Sequence, residues 1–309
     1  MVTALYTDAV FDGHVTPPGH PERVDRLRAI AAALDPVSGF DRRPASDADD
    51  ADIFRCHPKS YLERVTAAVP SEGWVSLDAD THLAPGSLMA ARHAVGAACA
   101  AVDAVVAGDF LNAFIAARPP GHHAETATAM GFCLFGTAAI AAKRALDHHG
   151  LSRVAVVDFD VHHGNGTQDL LWNEPRTLFV SSHQMPLFPG TGARHEVGAH
   201  NNIINLPLQP MSDGREMRKV YEAEALPALA DFRPDLIVIS AGFDAARTDP
   251  LANLEWDTDD FRWVTAAICE VAQDTAEGRV VSTLEGGYDL DALAAGVAAH
   301  VDVLKEAGA

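Results

Sequence analysis

Residues 153–168 read Arg-Val-Ala-Val-Val-Asp-Phe-Asp-Val-His-His-Gly-Asn-Gly-Thr-Gln, and this stretch decides the fold. Val154, Ala155, Val156 and Val157 are small or β-branched, the pattern of a strand covered on both faces in a parallel sheet. The strand runs into a polar loop that carries Asp158, Asp160, His162 and His163. In an extended chain Asp158, Asp160 and His162 alternate by two and face one side. Two carboxylates and an imidazole converging there need a neutralising positive charge, which a divalent metal would bring. Open α/β sheets place their chemistry in such loops, at the carboxyl ends of strands.

On either side of this stretch the chain alternates. Strands are predicted at 2–7, 112–117, 178–181, 202–206, 236–240 and 280–284. Helices are predicted at 21–34, 58–69, 87–106, 135–148, 213–230, 257–276 and 290–304. Pro21 sits in the first turn of one, and the Ala-rich runs have high helix propensity. Residues 35–52 are expected to form a surface connection, and 71–85 to be irregular. The alternation implies right-handed βαβ units and a mostly parallel sheet. With no linker, charge block or low-complexity tract, residues 1–309 are expected to form a single domain.

Composition narrows the function. A formal charge of −20 repels phosphate backbones and argues strongly against a nucleic-acid binder, so no nucleic-acid partner is expected. It points only weakly to basic partners, since many soluble enzymes are acidic. No apolar run reaches the length of a membrane span and the start lacks a signal-peptide pattern, so no membrane partner is expected. Cys56, Cys99, Cys133 and Cys269 form no CxxC pair, which suits reduced thiols and a cytoplasmic location.

Four strand ends carry reactive groups: His122-His123, the Asp158/Asp160/His162 set, Asp244 and Tyr288. A His-His pair alone is usually a surface accident, as at His148-His149. The constellation is far more specific, because every member falls at the same edge of the sheet. It suits a mononuclear zinc hydrolase, with three protein ligands and one open position. Asp160, His162 and Asp244 offer two oxygens and one nitrogen. His122 and His123 are placed for proton transfer, Tyr288 for donation to an oxyanion, and Asp158 for fixing a histidine tautomer.

The same residues carry a resemblance. The chain resembles the zinc-dependent histone deacetylases of the arginase-deacetylase superfamily, in their class II-like bacterial deacetylase/amidohydrolase branch. The motifs are His-Pro-Glu-Arg-Val-Asp-Arg-Leu (20–27), Arg-Pro-Pro-Gly-His-His-Ala (118–124), Gly-Phe-Cys (131–133) and Val-Asp-Phe-Asp-Val-His-His-Gly-Asn-Gly-Thr-Gln (157–168). They continue with Phe-Pro-Gly-Thr-Gly (188–192), Ser-Ala-Gly-Phe-Asp-Ala (240–245) and Glu-Gly-Gly-Tyr (285–288), spanning nearly the whole chain. The resemblance implies a three-layer α/β fold, with a central mostly parallel sheet of about eight strands flanked by helices.

It also implies site roles. One zinc per chain falls to Asp160, His162 and Asp244. His123 becomes the general base, and His122 an electrostatic partner backed by Asp158. Asn165, where class I members carry aspartate, contacts the second histidine and as a neutral group raises its basicity less. Tyr288 matches the transition-state tyrosine. Gly131, Phe132 and Phe188 line an acyl-lysine tunnel, with core packing the plain alternative for both rings. A structural potassium is implied beside Asp158, Asp160, His162, Ser181 and Ser182. The expected substrate is an acylated lysine peptide or protein, or a small acylated amine, and a homo-oligomer is compatible with the family.

Related polyamine-selective enzymes use an acidic gatekeeper. Leu251 occupies what resembles that position and favours acyl-lysine, although Glu72, Asp78, Asp80 or Glu255 are alternative acids. An arginase-like ureohydrolase lacks its bridging carboxylates here, and a noncatalytic acyl-lysine binder does not need His122, His123 and Tyr288. His57, His93, His195, His200 and His300 are expected to be surface or structural groups. His163 should point away from the site, Cys133 is a candidate for the pocket floor with a small buried hydrophobe the plain alternative, and His14, His20 and His82 are candidates for the pocket rim.

Overall fold

The fold was obtained as a computed structural model and is described for residues 2–308. Its strands in chain order are β1 (Thr3–Tyr6), β2 (Phe40–Arg43), β3 (Val75–Ser76), β4 (His82–Leu83), β5 (Asn112–Ile115), β6 (Val154–Asp158), β7 (Thr177–Gln184), β8 (Ile203–Leu208), β9 (Leu236–Ala241) and β10 (Val280–Leu284). The first five helices are α1 (Asp25–Leu34), α2 (Asp50–Ile53), α3 (Lys59–Ala68), α4 (Ser87–Ala107) and α5 (Thr137–Asp147). They are followed by α6 (Asn165–Leu171), α7 (Gly214–Val220), α8 (Leu226–Phe232), α9 (Thr258–Thr275) and α10 (Leu290–Gly308).

Eight strands form one parallel sheet in the order β2-β1-β5-β10-β9-β6-β7-β8. Helices α4 and α5 pack together on it, as do α1, α9 and α10, and a continuous apolar core fills the layers. β5, β6, β9 and β10 are buried throughout, which is why each reads as mostly apolar, even β10 with its Ser282-Thr283 pair. These four are also neighbours in the sheet, although up to about 170 positions separate them in sequence. Their carboxyl ends therefore open onto one place.

Several elements differ from expectation. The helix expected from residue 21 begins at Asp25, because Glu22 leaves the helical path to meet Arg118 and Arg26 in the interior. The 35–52 connection contains β2, a polar edge strand whose Phe-Asp-Arg-Arg sequence shows no apolar alternation. It also contains the one-turn α2. The irregular 71–85 segment holds the antiparallel pair β3–β4. Helix α6 starts inside what reads as a glycine-bearing loop. The 213–230 helix is interrupted by a π-helical turn at Tyr221–Ala225, next to Pro227, which cannot donate to the preceding ladder.

Contrary to the expectation that no apolar run is of membrane length, α4 is long and apolar enough by composition to cross a bilayer. Here its small residues are buried in the core against α5 and β5.

His300 on α10 is sealed between Thr265 Oγ1 (2.7 Å) and Ser282 Oγ (2.8 Å). Burial pushes its pKa down to about 3, against about 6.5 in an unfolded chain. Below that upper value the unfolded chain takes a proton that the native ring refuses. Its stability contribution is thus complete above about pH 6.5 and is lost as pH falls. His300→Gln should therefore be less destabilising at about pH 5.5 than at about pH 7.5, by roughly 1 kcal/mol in urea unfolding. An equal cost at both pH values would contradict this.

Candidate active site

Asp158 is the last residue of β6, and the chain does not stay extended beyond it. The segment instead turns back on its own carboxylates. Asp160 N donates to Asp158 Oδ1 (3.1 Å), and His162 N donates to Asp160 Oδ1 (2.9 Å). The simple alternation of a strand is thus corrected: side-chain–backbone turns, and not pleating, bring these groups together. β9 delivers Asp244, whose Oδ1 accepts from Val161 N (2.9 Å). β10 delivers Gly286, whose N donates to Asp160 Oδ2 (2.7 Å). Any Cβ at Gly286 would run into the Asp160 and Asp244 carboxylates.

Asp160, His162 and Asp244 are buried, and their ligand atoms lie within 4.8 Å of one another. His162 Nδ1 sits 3.1 Å from Asp160 Oδ1 and 3.2 Å from Asp244 Oδ2. Burial alone would keep this imidazole neutral, yet the two carboxylates hold its pKa up at about 10. The donors thus demand a positive charge among them. Two hard oxygens with one imidazole nitrogen fit zinc chemistry. Asp103, His148 and His149 form a second close group. It is more exposed, and the Arg144 guanidinium already covers both Asp103 oxygens (3.0 and 2.8 Å).

Beside the triad stand the tandem histidines, on the loop after β5, with ring centroids 3.9 Å apart. His122 Nδ1 donates to Asp158 Oδ2 (3.0 Å), and His123 Nδ1 donates to Asn165 Oδ1 (2.7 Å). Their environments diverge. Burial opposes charge on His122, but Asp160 and Asp158 carry its pKa well above the ordinary value. Burial, then the positive His122 and His162, drive that of His123 well below it. One ring is an imidazolium and its neighbour a free base.

The cleft above is lined by His123, His162, Tyr288, Gly131, Phe132, Phe188, Leu187, Leu251 and Asp80. Gly131 has φ +55°, and a methyl there would collide with the His123 ring. Phe132 adopts φ +68°, held by its N–H to Thr81 Oγ1 (3.1 Å) and by edge contacts to His20 (4.7 Å) and Tyr288 (5.9 Å). Phe188 stands edge-on to His123 at 5.2 Å and is partly exposed at the mouth. Burial lifts the Tyr288 phenol well above its usual range, so it keeps its proton.

Ser181 and Ser182 lie on β7, with Ser181 paired to Asp158. Their hydroxyls are taken by His183 Nδ1 (3.0 Å) and Tyr221 Oη (2.9 Å). His163 turns to Thr191 and Gln168. His20 packs edge-on against the cleft residue Phe132 and His82 stands behind it against His20, whereas His14 is buried against Ser87 and Glu22. His57 and His300 are internal structural groups. The cysteines are free and buried.

Other groups came with no assigned role. Glu285 accepts from Gly121 N (2.7 Å), His122 N (3.1 Å) and Ser240 Oγ (3.2 Å), tying β5, β9 and β10 together. Asp249 accepts from Tyr288 N (2.7 Å) and Leu251 N (3.0 Å), joining the tyrosine loop to the cleft wall. Arg26 donates to the carbonyls of Gly287 (2.7 Å) and Glu285 (2.5 Å), beneath the Tyr288 ring. The only sequence signal for these was membership of quoted motifs, or, for Asp249, adjacency to the Leu251 gatekeeper position.

Comparison with known proteins gives a consistent picture. A family profile described as "Histone deacetylase domain" matches residues 20–304. A histone deacetylase-like amidohydrolase of Pseudomonas aeruginosa is 42% identical over 287 residues, covering 89% of this chain and 75% of that protein. A probable deacetylase of Archaeoglobus fulgidus is 34% identical, covering 94% and 82% respectively. The crystal structure of the HDA15 HD domain superposes with a TM-score of 0.93 at 33% identity, covering 99% of this chain and 89% of that one.

Proposed function

Since the chain belongs to the histone deacetylase family, with deacetylase and amidohydrolase relatives, we propose that it is a zinc-dependent hydrolase of linear N-acyl amides, acting on acyl-lysine. The observation that carries this reading is the buried Asp160/His162/Asp244 triad facing an imidazolium–imidazole pair at the foot of an aromatic-walled cleft. Zinc held by the triad would contribute Lewis acidity toward the amide carbonyl and toward water.

The remaining work belongs to the chain. Phe132, Phe188 and Leu251 bind the extended aliphatic stem and exclude water from it. His123 takes a proton from the attacking water at Nε2, while its Nδ1–H stays on Asn165. The cationic His122, anchored by Asp158, stabilises negative charge as it develops. The Tyr288 hydroxyl donates to the carbonyl oxygen as it becomes an oxyanion, and a tandem imidazolium returns a proton to the departing amine. A structural potassium remains part of the proposal through backbone oxygens near Asp158, the Ser181 and Ser182 hydroxyls being engaged elsewhere.

The wall residue Leu251 supports an acyl-lysine substrate. Asp80, also lining the cleft, supports a second reading in which a distal ammonium of an acylated polyamine is recognised. A panel of Nε-acetyl-lysine peptides and acetylated polyamines separates the two. The expected result is higher kcat/KM on the peptides by at least about tenfold. A preference for polyamines would replace the substrate assignment, and turnover of neither would end the hydrolase reading.

A further inference from the structure

Asn165 does not end the chain of contacts that begins at His123. Its Nδ2 donates to Glu125 Oε1 at 2.8 Å. Glu125 sits in a tight turn closed by Glu125 N to Thr128 O (3.0 Å). That turn is clamped to α6, the helix that carries Asn165, by Thr126 N and Oγ1 on Asp169 Oδ2 (2.8 and 2.6 Å). We propose that Glu125 is a positioning residue that sets the tautomer of His123 through the Asn165 amide.

An ionised carboxylate only accepts, so Asn165 must face Glu125 with its NH₂ group. The amide oxygen then faces His123 Nδ1 at 2.7 Å. An oxygen also only accepts, so the hydrogen must reside on Nδ1. Nε2 is left with its lone pair, ready for a proton. Were the amide to turn over, NH₂ would meet Nδ1, the ring hydrogen would move to Nε2, and His123 could no longer act as the base. The other acceptor at Asn165 Nδ2 is the thioether of Met130 (3.4 Å), a weak one, so the Glu125 carboxylate is what gives the amide its preferred end.

The proposal rests on His123 being the base of the proposed hydrolysis, but one of its tests does not need turnover. In protein with ¹⁵N-labelled histidine, with His123 assigned by its loss in His123→Ala, the wild type should show protonated Nδ1 and bare Nε2. Glu125→Ala should give a mixture of tautomers, with kcat about tenfold lower and KM within about twofold of wild type. Asn165→Asp sets two carboxylates against each other and should lower kcat at least about tenfold. Adding Glu125→Gln restores a donor between them and should recover most of that loss. An unchanged Nδ1–H signature in Glu125→Ala overturns the proposal whatever happens to kcat, as does a double variant no better than Asn165→Asp. Absence of turnover in the wild type would defeat the functional reading, and the nitrogen spectrum would still decide this one.

Discussion

Tyr288→Phe is expected to lower kcat on an Nε-acetyl-lysine reporter by at least about a hundredfold, a loss of about 2.7 kcal/mol of transition-state stabilisation. The substitution isolates the hydroxyl, because the ring is held by other means. Asp249 fixes the Tyr288 backbone N–H, the Arg26 guanidinium lies 5.0 Å from the ring centroid, and Phe132 packs on its edge. KM should change little, since the hydroxyl acts on charge that exists only beyond the ground state. His123→Ala should produce a loss of similar size by removing the neutral imidazole beside the cationic His122. Activity near wild type in either variant contradicts the assigned roles.

Asp160→Ala is expected to abolish stoichiometric metal binding. Asp160 is buried and bonds to the backbone of its own loop through His162 N and of the loop after β10 through Gly286 N. Its loss removes one of three ligands and also the anchor of a second, so the remaining His162 and Asp244 cannot complete a tetrahedral site. Elemental analysis should give about one zinc per wild-type chain and well under one tenth of that in the variant. Asp160→Asn keeps one oxygen acceptor, for either His162 N or Gly286 N, and should disturb the fold less than Asp160→Ala while still losing metal. Full zinc content in both variants would remove Asp160 from the ligand set.

What could be read in the chain follows from burial. β5, β6, β9 and β10 are covered on both faces, so each is mostly apolar, with Ser282 and Thr283 of β10 the main interruption, and the alternation with helices was visible. Strand order was not, because it depends on which helices cross which face, and it is this order that makes four distant loops neighbours. β2 and α6 escaped for local reasons: one is a polar edge strand, and the other is a seven-residue helix with glycines at and inside its start. The triad residues announce themselves at strand ends. Glu125, Asp249 and Glu285 do not, since an acidic residue that binds distant backbone or amide N–H groups looks in sequence like any solvated acid. Asp158, Asp160 and His162 do end on one site, though through turns where a continuing strand was expected.

Metal bound in the Asp160/His162/Asp244 triad is what we propose makes this protein an acyl-amide hydrolase. The most direct measurement is turnover of an Nε-acetyl-lysine peptide by the purified protein before chelation, after chelation, and after zinc is returned. The prediction is activity that disappears with the metal and returns with about one equivalent of zinc per chain. Metal-free protein that keeps its full turnover would contradict it.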